Sequence, residues 1–529
     1  MWRKLWYKIN NTVTGGAFII ACFSFLAKII ALFRERLIAH NFGASEISDV
    51  YYAAFRLPDL IFNTLVLGAL TSAFIPVFQK VWRKDKEEGI YLSNSVLNFF
   101  LLFVGVLVIL AIIFADRIMP LITPGFSEWQ MTELIRLTRI MLLAVIFFVI
   151  SNVVGGVLNS MKRFFSFSLA ASFYNIGIII GIVYFYKIYG LLGLAYGVLL
   201  GAVLHLLVQL PEIIKNGWRY KLVLTFDKNL FKILKLMLPR TIGLAAGQVN
   251  LIAITMIAST LSVGSIAVFN LANNLQSLPV SLFAVSLAVA VFPTFTQAAS
   301  EKNDAMFAEN FSKSFRRILF LLIPTSVLLV ILRAQIVRVI LGTGAFSWSN
   351  TADTAQALGF FAISIFAQGL IPLLARSFYA YEDTKTPMTI SIFSIALNIV
   401  LSWYLAKIYG VVGLALSFSI SSILNMFLLY VTLNLKVQNL DTNKIVNSLL
   451  KILFNSFFAA SVTYAGLHLF APLVDMRTFL GIFLQGLAAG SLGLITYLVL
   501  GIVFKLDELA IVKQLLKRSL LLFKNGKHT

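Results

Sequence analysis

The sequence predicts an all-α polytopic membrane protein with about fourteen transmembrane helices: two pseudo-symmetric six-helix lobes and two appended C-terminal helices. Three observations carry this expectation. Hydrophobic residues make up 59% of the 529 residues and charged residues 12%, about half the charge of a soluble domain, and the mean hydropathy is +0.90. Apolar stretches near or above the roughly 20 residues needed to cross a bilayer recur from end to end. The chain also repeats itself at a nearly constant offset. Lys187-Ile188-Tyr189-Gly190-Leu191-Leu192-Gly193-Leu194-Ala195 returns as Lys407-Ile408-Tyr409-Gly410-Val411-Val412-Gly413-Leu414-Ala415. Thr123-Pro124-Gly125-Phe126-Ser127 returns as Thr343-Gly344-Ala345-Phe346-Ser347, and Ala73-Phe74-Ile75-Pro76-Val77-Phe78 as Ala290-Val291-Phe292-Pro293-Thr294-Phe295. Two similar halves around a central cavity are the usual build of a secondary transporter.

In chain order, helices are predicted around residues 27, 65, 103, 145, 176 and 202, which form an N-lobe over 1–220. The polar run Lys215-Asn216-Gly217-Trp218-Arg219-Tyr220-Lys221 ends it. Helices around 248, 280, 327, 366, 398 and 422 form a C-lobe over 221–436, closed by the polar stretch from Lys436 to Lys444. An even number of helices per half makes the repeats parallel, related by an axis along the membrane normal. The helices around 459 and 490, within 437–504, have no counterpart in the repeat. A basic amphipathic tail, 505–529, is expected on the inner membrane surface. No small-residue cleavage site follows the first segment, so no removable leader is expected.

The net charge is +21. A basic face for nucleic acid would need a soluble module, and none is predicted. The positive-inside rule accounts for the excess: with the N-terminus inside, about 30 of the Lys and Arg residues fall in cytoplasmic loops and tails. Both termini are then cytoplasmic, and the basic loops meet anionic lipid. The clusters are Lys80/Arg83/Lys84/Lys86, Lys162/Arg163, Lys215/Arg219/Lys221 and Lys513/Lys517/Arg518. A single cysteine, Cys22, makes neither an internal disulfide nor a metal cluster, and four scattered histidines show no ligand spacing. With no phosphate-binding glycine loop and no nucleophile motif, the expected protein is a transporter and not an enzyme, with no cofactor and no metal.

Ionisable residues within the membrane cost on the order of 2.5–3.5 kcal/mol each on insertion scales, so they are functional candidates by default. The first helix holds Lys28, Arg34, Glu35 and Arg36. Arg34 and Arg36 also admit a reading as snorkelling interfacial charges, whereas Lys28 lies deeper. Arg56, Pro58 and Asp59 interrupt the second helix. Pro58 removes a backbone hydrogen bond and is expected to kink it, and Asp59 beside Arg56 reads as a structural pair. Arg240 follows Pro239 in the seventh helix, as either a cavity or a topology charge, with Gln248 and Asn250 beyond it. Asn270, Asn273, Asn274 and Gln276 in the eighth helix read either as cavity lining or as glue between helices. Cations in the first, second and seventh helices, with few carboxylates beside them, predict an anionic substrate. An antiporter for organic cations would need the reverse balance.

Several segments resemble the MurJ/MviN lipid II flippase family. They are Ala39-His40-Asn41-Phe42-Gly43-Ala44, Asp49, Ala53-Ala54-Phe55-Arg56-Leu57-Pro58-Asp59, and Gly68-Ala69-Leu70-Thr71-Ser72-Ala73-Phe74-Ile75-Pro76-Val77. Leu158-Asn159, Arg163-Phe164, Asn175, Gly344-Ala345-Phe346, Phe378-Tyr379 and Asp383-Thr384-Lys385-Thr386-Pro387 continue the match, which spans about residues 15–435. The resemblance implies an N-lobe, a C-lobe, a cationic central cavity and a lipid-tail groove formed by the last two helices. It implies a cargo of undecaprenyl-pyrophosphate-linked disaccharide-pentapeptide in the bacterial cytoplasmic membrane. The family's first-helix arginine pair falls on Lys28 and Arg34, and lysine lacks the bidentate fork that suits a pyrophosphate. The family's second-helix arginine falls near Phe62-Asn63, the acidic residue of its Glu-Gly-Ala motif on Leu67, and its eighth-helix arginine on Asn274.

The expected function is therefore flipping of lipid II from the inner to the outer leaflet by alternating access. Lys28 and Arg34 are expected to hold the pyrophosphate, Arg56 or Arg240 to assist, and Asn63, Gln248 and Asn274 to bond the sugar or peptide. Asp49, Pro58, Asp59, Asp383, Lys385 and Pro387 are structural or gating candidates. Membrane potential or Na⁺ is the expected source of coupling, and other cell-wall synthesis proteins are candidate partners. Two alternatives stand beside this reading: a flippase for another polyprenyl-linked oligosaccharide, and a scaffold for cell-wall enzymes that transports nothing.

Overall fold

A computed structural model describes residues 13–67, 73–437 and 440–510, with the backbone alone at 13–18, 67, 239 and 240. Among the described residues there is no strand, and all fourteen predicted helix centres fall in helical residues. Eleven helices are long and apolar enough to cross a membrane, or twelve if the pair Trp348–Ile363 and Ile365–Ala380, bent by 44°, is one span. Fourteen spans are not reached by that test.

The second predicted helix is broken where its sequence predicts a kink. It runs as Glu46–Ala54, then Arg56–Ile61, then a π-helical stretch Phe62–Leu67, and resumes at Ile75–Lys84. Pro58 offers no N–H to the carbonyl of Ala54, so the ladder parts one turn earlier, at Phe55. The π stretch that follows is a common device at functional sites.

Packing groups the chain into two units, Met1–Ala267 with Thr343–Ser347, and Val268–Gly342 with Trp348–Thr529. This division lies beyond the repeat boundary near 220. The helix Lys228–Ser259 packs against Arg56–Ile61 and Phe62–Leu67, pinned by the Arg56 Nε–H donating to Thr255 Oγ1 at 2.6 Å.

Within the first unit, Phe164–Ile180 is central. It packs on Val13–Phe42 and on Leu192–Leu207. The second contact is a glycine seam. A Cβ on Gly177 would lie 2.3 Å from Gly201 Cα, and one on Gly181 would lie 2.5 Å from Gly197 Cα. Small residues four apart let membrane helices approach to backbone contact, and dispersion then holds them.

The two repeats share local geometry. Gly190 and Gly410 end their helices with φ of +58° and +59°, a conformation glycine adopts without a Cβ penalty. A Cβ on Gly193 would lie 2.3 Å from the Phe185 carbonyl oxygen, and one on Gly413 would lie 2.3 Å from that of Leu405. Both glycines thus sit eight residues after the carbonyl they touch, which is why Lys-Ile-Tyr-Gly-x-x-Gly recurs.

The second unit is built around an aromatic core that includes Phe295, Phe307, Phe311, Phe315 and Phe320. The helices Thr442–Phe470 and Phe479–Val503, which follow the repeats, pack on one another, and the former lies against Asp304–Ile331. The buried Tyr497 hydroxyl donates to the Phe320 carbonyl at 2.9 Å, which satisfies that hydroxyl against the aromatic core.

Candidate functional site

The helix Val13–Phe42 carries the densest set of intramembrane charges and runs parallel to Phe164–Ile180. Three contacts fix the register: Phe23 on Phe165 at 5.2 Å between rings, Arg34 on Asn175, and Phe42 on Tyr186 at 4.8 Å. The Arg34 Nη1 donates to Asn175 Oδ1 at 3.0 Å, and its Nη2 pairs with Glu35 Oε1. The Tyr52 hydroxyl donates to the other Glu35 oxygen at 2.5 Å. Glu35 is buried, with 4% of its side chain exposed, and Arg34 retains 19%.

This polar knot is incomplete. The Arg34 Nε–H and the Tyr51 hydroxyl are buried without a partner among the described residues, as are the hydroxyls of Thr64, Ser168 and Ser172 elsewhere in the first unit. Ser168, Ser172 and Asn175 are spaced i, i+4, i+7, so they share one face of their helix. Lys28 lies half-buried on the same helix as Arg34, about 9 Å below it along the axis. Unpaired buried donors are rare in proteins and call for an explanation such as a ligand.

Arg56 is buried, 7% exposed, and its bond to Thr255 ties the seventh predicted helix to the second. Asp59 lies within electrostatic reach of both Arg56 and Arg34. It lines a crevice with Phe55, Pro58, Phe62, Phe148 and Tyr174. The free space there is about 20 Å³, so a sugar enters only after the walls move. Asn63 on the π stretch and Gln248 on Lys228–Ser259 are both half-buried, on elements that pack together. The Arg240 side chain and the Leu67 side chain lie outside the described residues.

The first unit therefore brings Arg34 and Arg56 into the region of Glu35 and Asp59, with Lys28 about 9 Å from Arg34 along the same helix. An anion arriving here competes with those carboxylates for the guanidinium groups. Asn274 lies half-buried in the second unit. Beside it in sequence, Gln276 Nε2 donates to Asn273 Oδ1 and to Gln368 Oε1, both at 3.0 Å, so those residues act as glue between helices.

Among the structural or gating candidates, Asp49 accepts the backbone N–H of Gly264 at 2.7 Å and of Ala267 at 2.8 Å. It caps the start of Ser265–Pro279, satisfying two donors that a helix N-terminus leaves open. Asp383 locks a turn. It accepts the Thr386 N–H at 3.0 Å and hydroxyl at 2.9 Å, and the Lys436 ammonium donates to it at 2.8 Å. Lys385 is exposed and Pro387 buried at the start of the helix that follows.

Burial alone would raise the Asp383 pKa, but the Lys436 ammonium and the two bonds from Thr386 outweigh it and hold it at about 2. A carboxyl depressed from 3.8 contributes stability that is complete above that value and fades as pH falls towards 2. Asp383→Asn is accordingly expected to flatten the thermal unfolding temperature between pH 5 and pH 2.5 relative to the wild type. An unchanged slope would exclude this carboxylate as its source.

Sequence reasoning missed Tyr52, Thr255 and the unpartnered serines. The Ser168, Ser172, Asn175 stripe on an otherwise apolar helix was the available signal. Tyr52 and Thr255 carry none, because what matters is which helix they meet.

The comparisons with known proteins agree with this architecture. A family profile described as "Lipid II flippase MurJ" matches residues 38–484. A probable lipid II flippase MurJ of Buchnera aphidicola subsp. Schizaphis graminum is 31% identical over 84% of this chain and 88% of its own length. One from Rickettsia prowazekii is 29% identical over 79% of this chain and 83% of its own. Among solved structures, a lipid II flippase MurJ in an inward closed conformation superposes with TM-score 0.77 and 27% identity, covering 93% of this chain and 99% of that one. An inward-facing multidrug resistance MATE family transporter of the MOP superfamily superposes with TM-score 0.68 at 14% identity, covering 79% of this chain and 96% of that one, a likeness of fold alone.

Proposed function

We propose a function from one established premise: this chain belongs to the MurJ family of lipid II flippases. It is a multi-pass membrane transporter, not an enzyme, and its activity is the flipping of lipid II. In our reading the pyrophosphate of the lipid-linked disaccharide-pentapeptide is held by Lys28 and Arg34. The observation that supports this is Arg34 itself, a cation deep among apolar helices whose Nε–H is left without a partner. A pyrophosphate oxygen satisfies that donor and replaces Glu35 as counter-ion. Arginine offers two parallel donors to such an oxyanion, and Lys28 adds a point charge.

Arg56 and Arg240 assist from the second and seventh helices, and Asn63, Gln248 and Asn274 bond the sugar or peptide. Glu35 and Asp59 keep the cations neutralised while no cargo is bound, which lowers the cost of empty cations in a low-dielectric interior. The tails run beside the two helices that follow the repeats. The chain sits in the bacterial cytoplasmic membrane with both termini inside, as its basic loops require.

Three cations, Lys28, Arg34 and Arg56, against two carboxylates, Glu35 and Asp59, leave the empty site with a formal charge of +1, and cargo reverses that sign. Each charge moved across the membrane is worth about 2.3 kcal/mol per 100 mV. The potential therefore drives loaded and empty states in opposite senses. Na⁺ is a second agent for resetting, and other cell-wall synthesis proteins are the expected neighbours.

Complementation tests the reading. In a bacterium depleted of its own lipid II flippase, expression of this chain is expected to restore growth and delivery of precursor to the outer leaflet. Absence of rescue, with the protein inserted at normal levels, would overturn it.

A further inference from the structure

The second unit contains a polar crevice distant in sequence from every residue assigned to cargo. It lies where Asp304–Ile331, the start of Thr442–Phe470 and the exit from Phe479–Val503 meet. Arg316, Lys444, Lys451 and Lys505 line it, with Asp507 and Glu508. Four cations face two carboxylates, and Asp441 pairs with Lys444 at 3.2 Å from outside the lining, which leaves a local excess of one positive charge around about 100 Å³ of free space.

The crevice is built rather than incidental. Arg316 and Glu508 form its floor, with 13% and 3% of their side chains exposed. The Arg316 Nη1 donates to Glu508 Oε1 at 2.5 Å, and the Ser448 hydroxyl donates to the same oxygen at 3.0 Å. Lys505 has φ +50°, a left-handed residue closing the helix end where glycine is usual. That turn brings Leu506 N to Gly501 O at 2.9 Å and folds Asp507 and Glu508 back over the helix ends. The floor remains unfinished: Arg316 Nε and Glu508 Oε2 are buried without a partner among the described residues. One is a donor and the other an acceptor.

Directly beside the polar rim the surface turns apolar. The Lys451 ammonium donates to the Phe504 carbonyl at 3.3 Å, the Phe504 ring meets Phe454 at 5.4 Å, and Leu450, Phe454, Phe457 and Val503 are exposed. A cationic notch bordered by exposed hydrocarbon is the geometry of a lipid headgroup at the membrane interface. Residues 511–529 contain no Asp or Glu side chain to serve as the anion.

We propose that this crevice binds an anionic phospholipid with a hydroxyl-bearing headgroup, phosphatidylglycerol. Lys444, Lys451 and Lys505 hold the phosphodiester, and Arg316 Nε donates to it from below. A headgroup hydroxyl donates to Glu508 Oε2. The acyl chains lie along Phe454, Phe457 and Val503. A zwitterionic choline headgroup lacks both the net charge and the hydroxyl.

The test uses the full-length protein purified in neutral detergent, with bound lipid read by native mass spectrometry and stability by thermal unfolding. Phosphatidylglycerol is expected to be retained and to stabilise the wild type more than phosphatidylcholine of the same chains. Each lysine near a membrane surface is worth about a fivefold change in affinity, so Lys451→Gln with Lys505→Gly is expected to weaken binding roughly 25-fold. Lys505→Gly also relieves the left-handed residue, so the single variant, weaker by about fivefold, decides the matter if the double variant does not fold. Lys451→Arg should bind as the wild type does. Equal retention of phosphatidylglycerol by wild type and variants would overturn the proposal. So would full competition by inorganic phosphate, which would make this a site for free phosphate and not for lipid.

Discussion

Replacing Arg34 by alanine is expected to abolish rescue of a flippase-depleted bacterium, and it does so by two routes that are separable. The first is loss of the cargo contact. A hydrogen bond to a charged group contributes about 1.5–3 kcal/mol, so losing the bidentate hold on a pyrophosphate should slow transport by roughly 10- to 100-fold. The second is damage to the fold. Glu35 is 4% exposed, and stripping a buried ion of its partner costs about 3–5 kcal/mol. The Arg34→Ala variant alone would confound the two. Arg34→Ala combined with Glu35→Gln removes both charges, and its thermal stability should return most of the way to the wild type while growth remains unrescued. Arg34→Lys keeps the charge but loses the fork and the bond to Asn175, and an intermediate rate is expected. Transport restored in the double variant would exclude Arg34 as a cargo ligand and leave it a structural ion pair.

The fold was readable in the sequence wherever one residue type suits a position. Gly190 and Gly410 announce their repeat because only glycine takes φ near +58° without penalty, and Gly193 and Gly413 because only glycine fits against the Phe185 and Leu405 carbonyls. Pro58 announces the break in the second helix for the same kind of reason. The packing boundary was not readable. Sequence similarity divides the chain near 220, but the helix Lys228–Ser259 sides with the first unit through Arg56 and Thr255, and nothing in either residue names its partner. The site shows the same limit. A buried arginine on the first helix stands out because a charge in an apolar stretch is costly. Its pairing with the adjacent Glu35 does not, because consecutive residues on a helix do not face one another. The neighbouring Tyr52 and Asn175 hold the two side chains in that geometry.

The other large effect is expected at the glycine seam, which carries no charge of its own. Gly177→Val and Gly197→Val should each prevent the close approach of Phe164–Ile180 and Leu192–Leu207. A Cβ on Gly177 would sit 2.3 Å from Gly201 Cα, and one on Gly197 2.5 Å from Gly181 Cα. Both obstacles are backbone, so no side chain can swing aside, and the helices themselves must part. Overpacking in a well-filled interior costs about 1–3 kcal/mol and occasionally more, and a backbone clash belongs at the upper end. The helix that moves carries Asn175, which holds Arg34, so transport should fall along with stability. Gly105→Ala is the control. It lies within Lys86–Ile113, and a Cβ there meets nothing within 4 Å. That substitution should be neutral or stabilising by up to about 1 kcal/mol, since alanine is the better helix former. Thermal unfolding of the variants in detergent, paired with complementation, reads both effects. If Gly177→Val unfolds at the same temperature as Gly105→Ala, the seam does not hold the first unit together, and Asn175 must be positioned by the contact with Val13–Phe42 alone.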